Sequence, residues 1–145
     1  MPEDTSDPPS HGPIDTEILD RIAAHLARSE RFDDIQTRPE YAPNAVVVDY
    51  DLKYFPSGVT RAYLRIRWFE TDDFSIHYSE QYQTRNEWES RWDRHPNDNN
   101  TREHFHPPPI ASTPGEDADY PDDWRDVLAT VLTDLDDRIK AFWDE

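Results

Sequence analysis

Three consecutive runs of period-two alternation, joined by tight turns, constrain this chain more than any other feature. Val46, Val48, Tyr50, Leu52 and Tyr54 alternate with Val47, Asp49, Asp51, Lys53 and Phe55. Pro56-Ser57-Gly58 supplies a turn, after which Ala62, Leu64, Ile66 and Trp68 alternate with Arg61, Tyr63, Arg65, Arg67 and Phe69. Thr71-Asp72-Asp73 turns the chain again, into Phe74, Ile76, Tyr78 and Tyr82 set against Ser75, His77, Ser79 and Gln81. Alternation of this kind puts one set of side chains on each face of a sheet, and turns this short join antiparallel neighbours. The chain therefore has to hold a meander with one apolar face.

Two amphipathic segments are available to cover that face. Ile14, Ile18, Leu19, Ile22, Ala23 and Leu26 recur at three and four residues behind Asp15, a fitting N-cap, and the helix is expected to end near Ser29 to Arg31. Trp124, Val127, Leu128, Val131, Leu132, Leu135, Ile139 and Phe142 repeat the pattern in a second helix over Pro121 to Glu145. Phe32 to Pro39 adds an edge strand stopped by Pro39 and Pro43, and Trp88 to Trp92 a last short strand whose Glu89, Arg91 and Asp93 share one face. The expected fold is α+β: an antiparallel meander of four to five strands packed with an N-terminal and a C-terminal helix. Residues 1–13, rich in Pro, Asp and Ser, read as a flexible tail, and residues 14–145 as a single domain.

Charge restricts the partners. Thirty-two acids against fifteen bases give a formal net charge of -17, which repels nucleic acid and anionic membranes at long range. Only Lys53 and Lys140 are lysines, and so acidic, lysine-poor a surface matches a protein adapted to a very salty cytoplasm, where salt screens the repulsion. Aromatic residues at 12%, five of them Trp, argue against a wholly disordered chain. No cysteine is present, so there is no disulfide framework and no thiolate chemistry. No apolar run is long enough for a membrane span or a signal peptide, which leads us to expect a soluble, cytoplasmic protein with no membrane partner.

The chemistry concentrates in Arg91 to Pro109, RWDRHPNDNNTREHFHPPP, which holds His95, His104 and His106 with Arg102 and a stiff triple proline. In an extended segment the side chains of 104 and 106 point the same way. The outer face of the sheet adds Arg65, Arg67, His77 and Arg91, so the stretch reads as one wall of a cleft whose floor is that face. Residues 61–106 carry nine acids against seven bases, the least acidic part of the chain and the place where an anionic partner is least repelled.

Several readings of the cluster compete. In the plainest, Arg65 and Arg67 pair with Asp49 and Asp51 across the strands, the histidines bond to backbone in a structural loop and Phe105 plugs into the core. A metal site would take imidazoles with Asp93, Asp98 or Glu103, but H-x-H spacing is weakly specific, and no metal or other cofactor is assigned. A metal-independent ribonuclease would use His104, His106, His95 and Arg102 as its catalytic group and Arg65, Arg67, His77 and Arg91 to hold substrate.

The strand RIRWFETDDFSIHYSE, then WESRWDRHPNDNNTREHFHPPP, then a terminal amphipathic helix, resembles haloarchaeal members of the TumE-like toxin family of toxin-antitoxin systems. Members carry an H-x-H-type motif after the sheet, matched here by His104, Phe105 and His106, and the resemblance covers Ile14 to Trp143. It implies a growth-inhibiting protein held in check by a cognate antitoxin, with RNA as a target and a homodimer as an open assembly. The alternative is a non-catalytic protein-binding module that uses the sheet face and the histidine loop.

Overall fold

The computed structural model describes residues 12–39, 44–95 and 103–144. In chain order the elements are α1 (Thr16–Leu26), β1 (Phe32–Arg38), β2 (Ala45–Tyr50), β3 (Val59–Trp68), β4 (Phe74–Tyr82), β5 (Trp88–Arg94), β6 (Glu103–His106), β7 (Glu116–Asp117) and α2 (Trp124–Trp143). All seven strands join one sheet in sequence order, every neighbour antiparallel, so the expected α+β meander is present. Seven strands replace the four to five expected. The added ones are β6, from the histidine stretch, and β7, from the segment after the prolines: β5 leaves a row of N–H and C=O groups at its edge, Glu103 to His106 is extended enough to pair with them, and β7 pairs in turn with β6.

Strand limits follow local chemistry. β2 stops at Tyr50, short of the expected Phe55, because the Asp51 side chain accepts the Lys53 N–H and starts a single 3-10 turn over Leu52–Tyr54. Asp15 caps α1 as its position implies, accepting the Ile18 N–H at 3.0 Å, and Asp123 caps α2 through the Arg125 N–H at 2.8 Å. α1 ends at Leu26, some residues before the expected stop. Of the segment read as a tail, residues 1–11 lie outside the described residues, while the Pro13 carbonyl accepts the Glu70 N–H at 2.9 Å.

Both helices lie on the same side of the sheet. Leu19, Ile22 and Leu26 of α1 and Val127, Leu128, Val131, Leu135 and Ile139 of α2 share one buried cluster with Val46, Val48, Leu64, Ile66, Trp68, Ile76 and Tyr78. The alternation that opened the sequence reading is thus realised as a two-layer sandwich with one covered face. The other face carries the polar set and, among the described residues, has no helix over it.

A buried carboxylate interrupts the apolar layer. Glu80 is fully buried, and each carboxylate oxygen takes one tyrosine hydroxyl and one guanidinium N–H. Tyr78 and Arg138 Nε donate to Oε2, both at 2.6 Å, and Tyr82 and Arg138 Nη2 to Oε1 at 2.6 and 2.7 Å. Arg138 also lies 3.3 Å from the centre of the Trp88 ring. Burial, then the Glu80 charge, pushes the Tyr78 hydroxyl far up, which keeps it a donor. A buried carboxylate is tolerated only when satisfied in this way. Arg138→Met should therefore lower the unfolding free energy by about 3–5 kcal/mol, since it leaves Glu80 buried with the tyrosines alone. Denaturant titration of the full chain checks this, and a loss below about 1 kcal/mol would contradict it.

Candidate functional site

Strand register assembles the open face into rows. Arg65 pairs with His77, His77 with Arg91, and Arg91 with His106, so these four lie in one line across β3 to β6. The next line runs Arg67, Ser75, Asp93, His104. Neighbours in a row are roughly 5 Å apart at the backbone. Every residue nominated from the sequence falls in these two lines except His95, which follows β5 and stacks on His104 with ring centres 5.3 Å apart, and Arg102, which lies outside the described residues.

The arginines do not pair as expected. It is Arg61 that takes Asp49, through Nε at 2.6 Å and Nη2 at 3.3 Å; the register sets Asp49 against Tyr63, beyond reach of an opposed pairing with Arg67 and diagonal to both Arg61 and Arg65. Asp51 belongs to the 3-10 turn and meets Lys53 at 3.8 Å. Among the described residues, the side chains of Arg65 and Arg67 have no acidic partner and donate no hydrogen bond. Arg65 is exposed; the Arg67 guanidinium lies 5.3 Å from the Phe69 ring centre, with its Nε buried and unpartnered. Arg91 is tied down, donating from Nε to Asp93 at 3.0 Å.

The two motif histidines lie in the floor of the face rather than in a wall. His106 is 4% exposed, and both ring nitrogens are engaged: Nδ1 sits 2.9 Å from the Ser112 carbonyl, to which it must donate, and Nε2 lies 3.0 Å from Asp93 and 3.3 Å from Arg91 Nη2. Nε2 can accept from Arg91 when the ring is neutral or donate to Asp93 when it is protonated. His104 is also buried, with Nδ1 lacking a partner among the described residues. Phe105, between them, points to the helix side against Trp92, ring centres 5.5 Å apart. Asp93 lies in ion pairs with Arg91 and His106, at 3.0 Å each. Among the described residues, no group of three His, Cys, Asp or Glu side chains is placed to hold a metal ion, and Asp98 lies outside them.

The wall comes instead from the chain after the prolines. The Glu89 N–H donates to the Pro109 carbonyl at 2.8 Å and the Ala111 N–H to the Glu89 carbonyl at 3.1 Å, which lays Ile110 and Ala111 along the start of β5. They bound a cavity of 350 Å³ with Arg65, Arg67, Ser75, His77, Glu89 and Arg91. A second cavity of 210 Å³, reaching Asp93 and His95, shares Arg67, Ser75 and Arg91 with it, so the two form one groove. Inside it His77 Nε2 lies 2.7 Å from Glu89 Oε1, and both side chains keep about a quarter of their surface open (27% and 28%). Sequence reasoning missed this pair. Its signal was the polar face of the Trp88–Trp92 strand, which sets Glu89 beside His77 once the β4–β5 register is known.

With the sheet and groove in place, comparison with known proteins is decisive at the level of family. Residues 19–139 match the family described as toxin TumE, and the chain belongs to that family. No curated protein and no solved structure matches it. The chain is therefore a toxin-family protein, and no helix among its described residues is long and apolar enough to cross a membrane.

The motif also depends on one glycine. Gly115 has φ +91, and a Cβ there would stand 2.9 Å from two ring atoms of His106 and 3.1 Å from the Phe105 carbonyl oxygen. Gly115→Ala should thus destabilise the fold by about 1–3 kcal/mol and displace the His106 ring. Thermal unfolding and the His106 ring resonances check it; an unchanged Tm with unchanged resonances would contradict the packing described.

Proposed function

We infer that this protein is the toxin of a toxin-antitoxin pair and acts on RNA, holding the phosphodiester backbone in the groove of the open sheet face. The observation that carries this reading is the state of Arg65 and Arg67. In a chain of net charge -17, most described bases sit against a carboxylate, yet these two, neighbours on β3 that head the two rows of one groove, have none. A guanidinium whose Nε is buried without a partner is costly unless a ligand completes it, and a phosphate oxygen is the acceptor that suits its fork. The long-range field disfavours nucleic acid, so binding has to come from short-range contacts made inside the groove.

Arg91, braced by Asp93 and His106, then supplies a third fixed cation beside His77. In this reading His104 and His106 shape the floor, His95 lies at its end, and reacting groups reach the substrate from the His77 side. A cognate antitoxin neutralises the toxin most simply by covering the same face and offering carboxylates to Arg65 and Arg67. Nothing in the composition opposes function at high salt, since bidentate contacts inside a groove are screened less than surface charge.

The test is binding of a fluorescent single-stranded RNA oligonucleotide by the purified full chain. Arg65→Gln with Arg67→Gln should weaken binding by about tenfold or more and make its salt dependence shallower by about 1.4 in logarithmic slope, the share of two phosphate contacts. Growth arrest on expression should vanish with it while circular dichroism stays unchanged. A double variant that binds RNA and arrests growth like the parent would overturn the assignment. A parent that arrests growth without binding RNA would favour a protein-binding module.

A further inference from the structure

We propose that His77, oriented by Glu89, is the general base of an RNA transesterification carried out in this groove. The proposal rests on the RNA reading above and adds the reaction to it. Its basis is that, of the imidazoles in the two rows, only this one is both open to the groove and held by a carboxylate. Glu89 Oε1 at 2.7 Å can accept only from Nε2–H, so the carboxylate fixes that tautomer and leaves the lone pair on Nδ1. Nδ1 has no hydrogen-bond partner among the described residues. The groups facing the ring are Arg65 and Arg67 from β3 and Glu89 and Arg91 from β5, while the loop wall offers only Ile110 and Ala111. His106, by contrast, has both nitrogens engaged and almost no exposed surface.

The arrangement places a base between two cations in one row, Arg65 on one side and Arg91 on the other. A phosphate bound by Arg65 brings the adjoining ribose 2'-hydroxyl within reach of Nδ1. The lone pair on Nδ1 removes the hydroxyl proton, the 2'-oxygen forms a bond to phosphorus, and the bond from phosphorus to the 5'-oxygen breaks. The leaving 5'-oxygen takes its proton from solvent water. The products are a 2',3'-cyclic phosphate and a 5'-hydroxyl end, and the imidazolium, held beside Glu89, returns its proton to solvent. The charge that develops on the phosphoryl oxygens meets guanidinium groups already in place, so little reorganisation is needed. Glu89 touches no substrate in this scheme and acts as a positioning residue.

The experiment uses the full chain with a labelled single-stranded RNA and reads binding and cleavage separately. Expected are products ending in a cyclic phosphate and no cleavage of the 2'-O-methyl RNA. His77→Gln should bind RNA as the parent does but cut at least ~100-fold more slowly. Glu89→Gln should lower kcat by about tenfold or more with KM unchanged, and ¹⁵N spectra should show the Nε2–H tautomer of His77 in the parent and its loss in this variant. A 5'-phosphate product, cleavage of the 2'-O-methyl RNA, or parental kcat in His77→Gln would overturn the proposal. Binding without any cleavage by the parent would refute the reaction alone, whereas absence of binding would refute the RNA reading beneath it.

Discussion

The buried contact of Glu80 with Arg138 sets the terms for the rest of the molecule. It joins the middle strand of the sheet to the last helix through two charge-assisted hydrogen bonds, with two tyrosine hydroxyls of the same strand completing the carboxylate, in a layer made mostly of aliphatic and aromatic side chains. Such a pair is not a cheap source of stability, because both groups must be desolvated. What it provides is a single seat for α2, since any shift of the helix strands a charge. With α1 and α2 both fixed on that side, the opposite face of the sheet is left for function.

A second buried arginine does the same for the far end. Arg94 is 6% exposed and donates to Glu103 at 2.8 Å and to the Asp72 carbonyl at 2.8 Å, with further contacts to the carbonyls of Tyr120 and Pro121. It thereby ties β5, β6, the β3–β4 turn and the approach to α2 into one unit. These two arginines are consumed by the fold. Arg65 and Arg67 are not, and the difference between the two pairs is what separates architecture from a site in a chain where acids outnumber bases two to one.

The elements with a sustained period were legible in the sequence: both helices, the Asp15 cap of α1, and the existence and order of β1 to β5 follow alternation and helical spacing, although α2 starts at Trp124 rather than Pro121 and β2 stops at Tyr50. β6 and β7 were not, because four and two residues carry too little period to distinguish a strand from a loop, and their pairing is decided by the open edge of β5. The face bearing Arg65, Arg67, His77 and Arg91 could be read from alternation alone. Which acid meets which arginine could not, because ion pairing depends on register and on which diagonal neighbour a carboxylate takes, and Asp49, set against Tyr63, takes Arg61. The H-x-H motif drew attention for its composition, yet its rings are mostly buried, while the more accessible imidazole, His77, lay in an ordinary-looking strand. Membership of the toxin TumE family fixes the class of protein, and the groove supplies a physical reason for a target.

The central claim is that phosphate is held by Arg65 and Arg67 in the groove. The most direct measurement is a ¹⁵N NMR titration of the full chain with single-stranded RNA, following the arginine Nε–Hε resonances. The account predicts that Arg65 and Arg67 shift together and saturate with the RNA, while Arg94 and Arg138, locked in the fold, do not move. Shifts confined to other arginines, or none at all at saturating RNA, would contradict it.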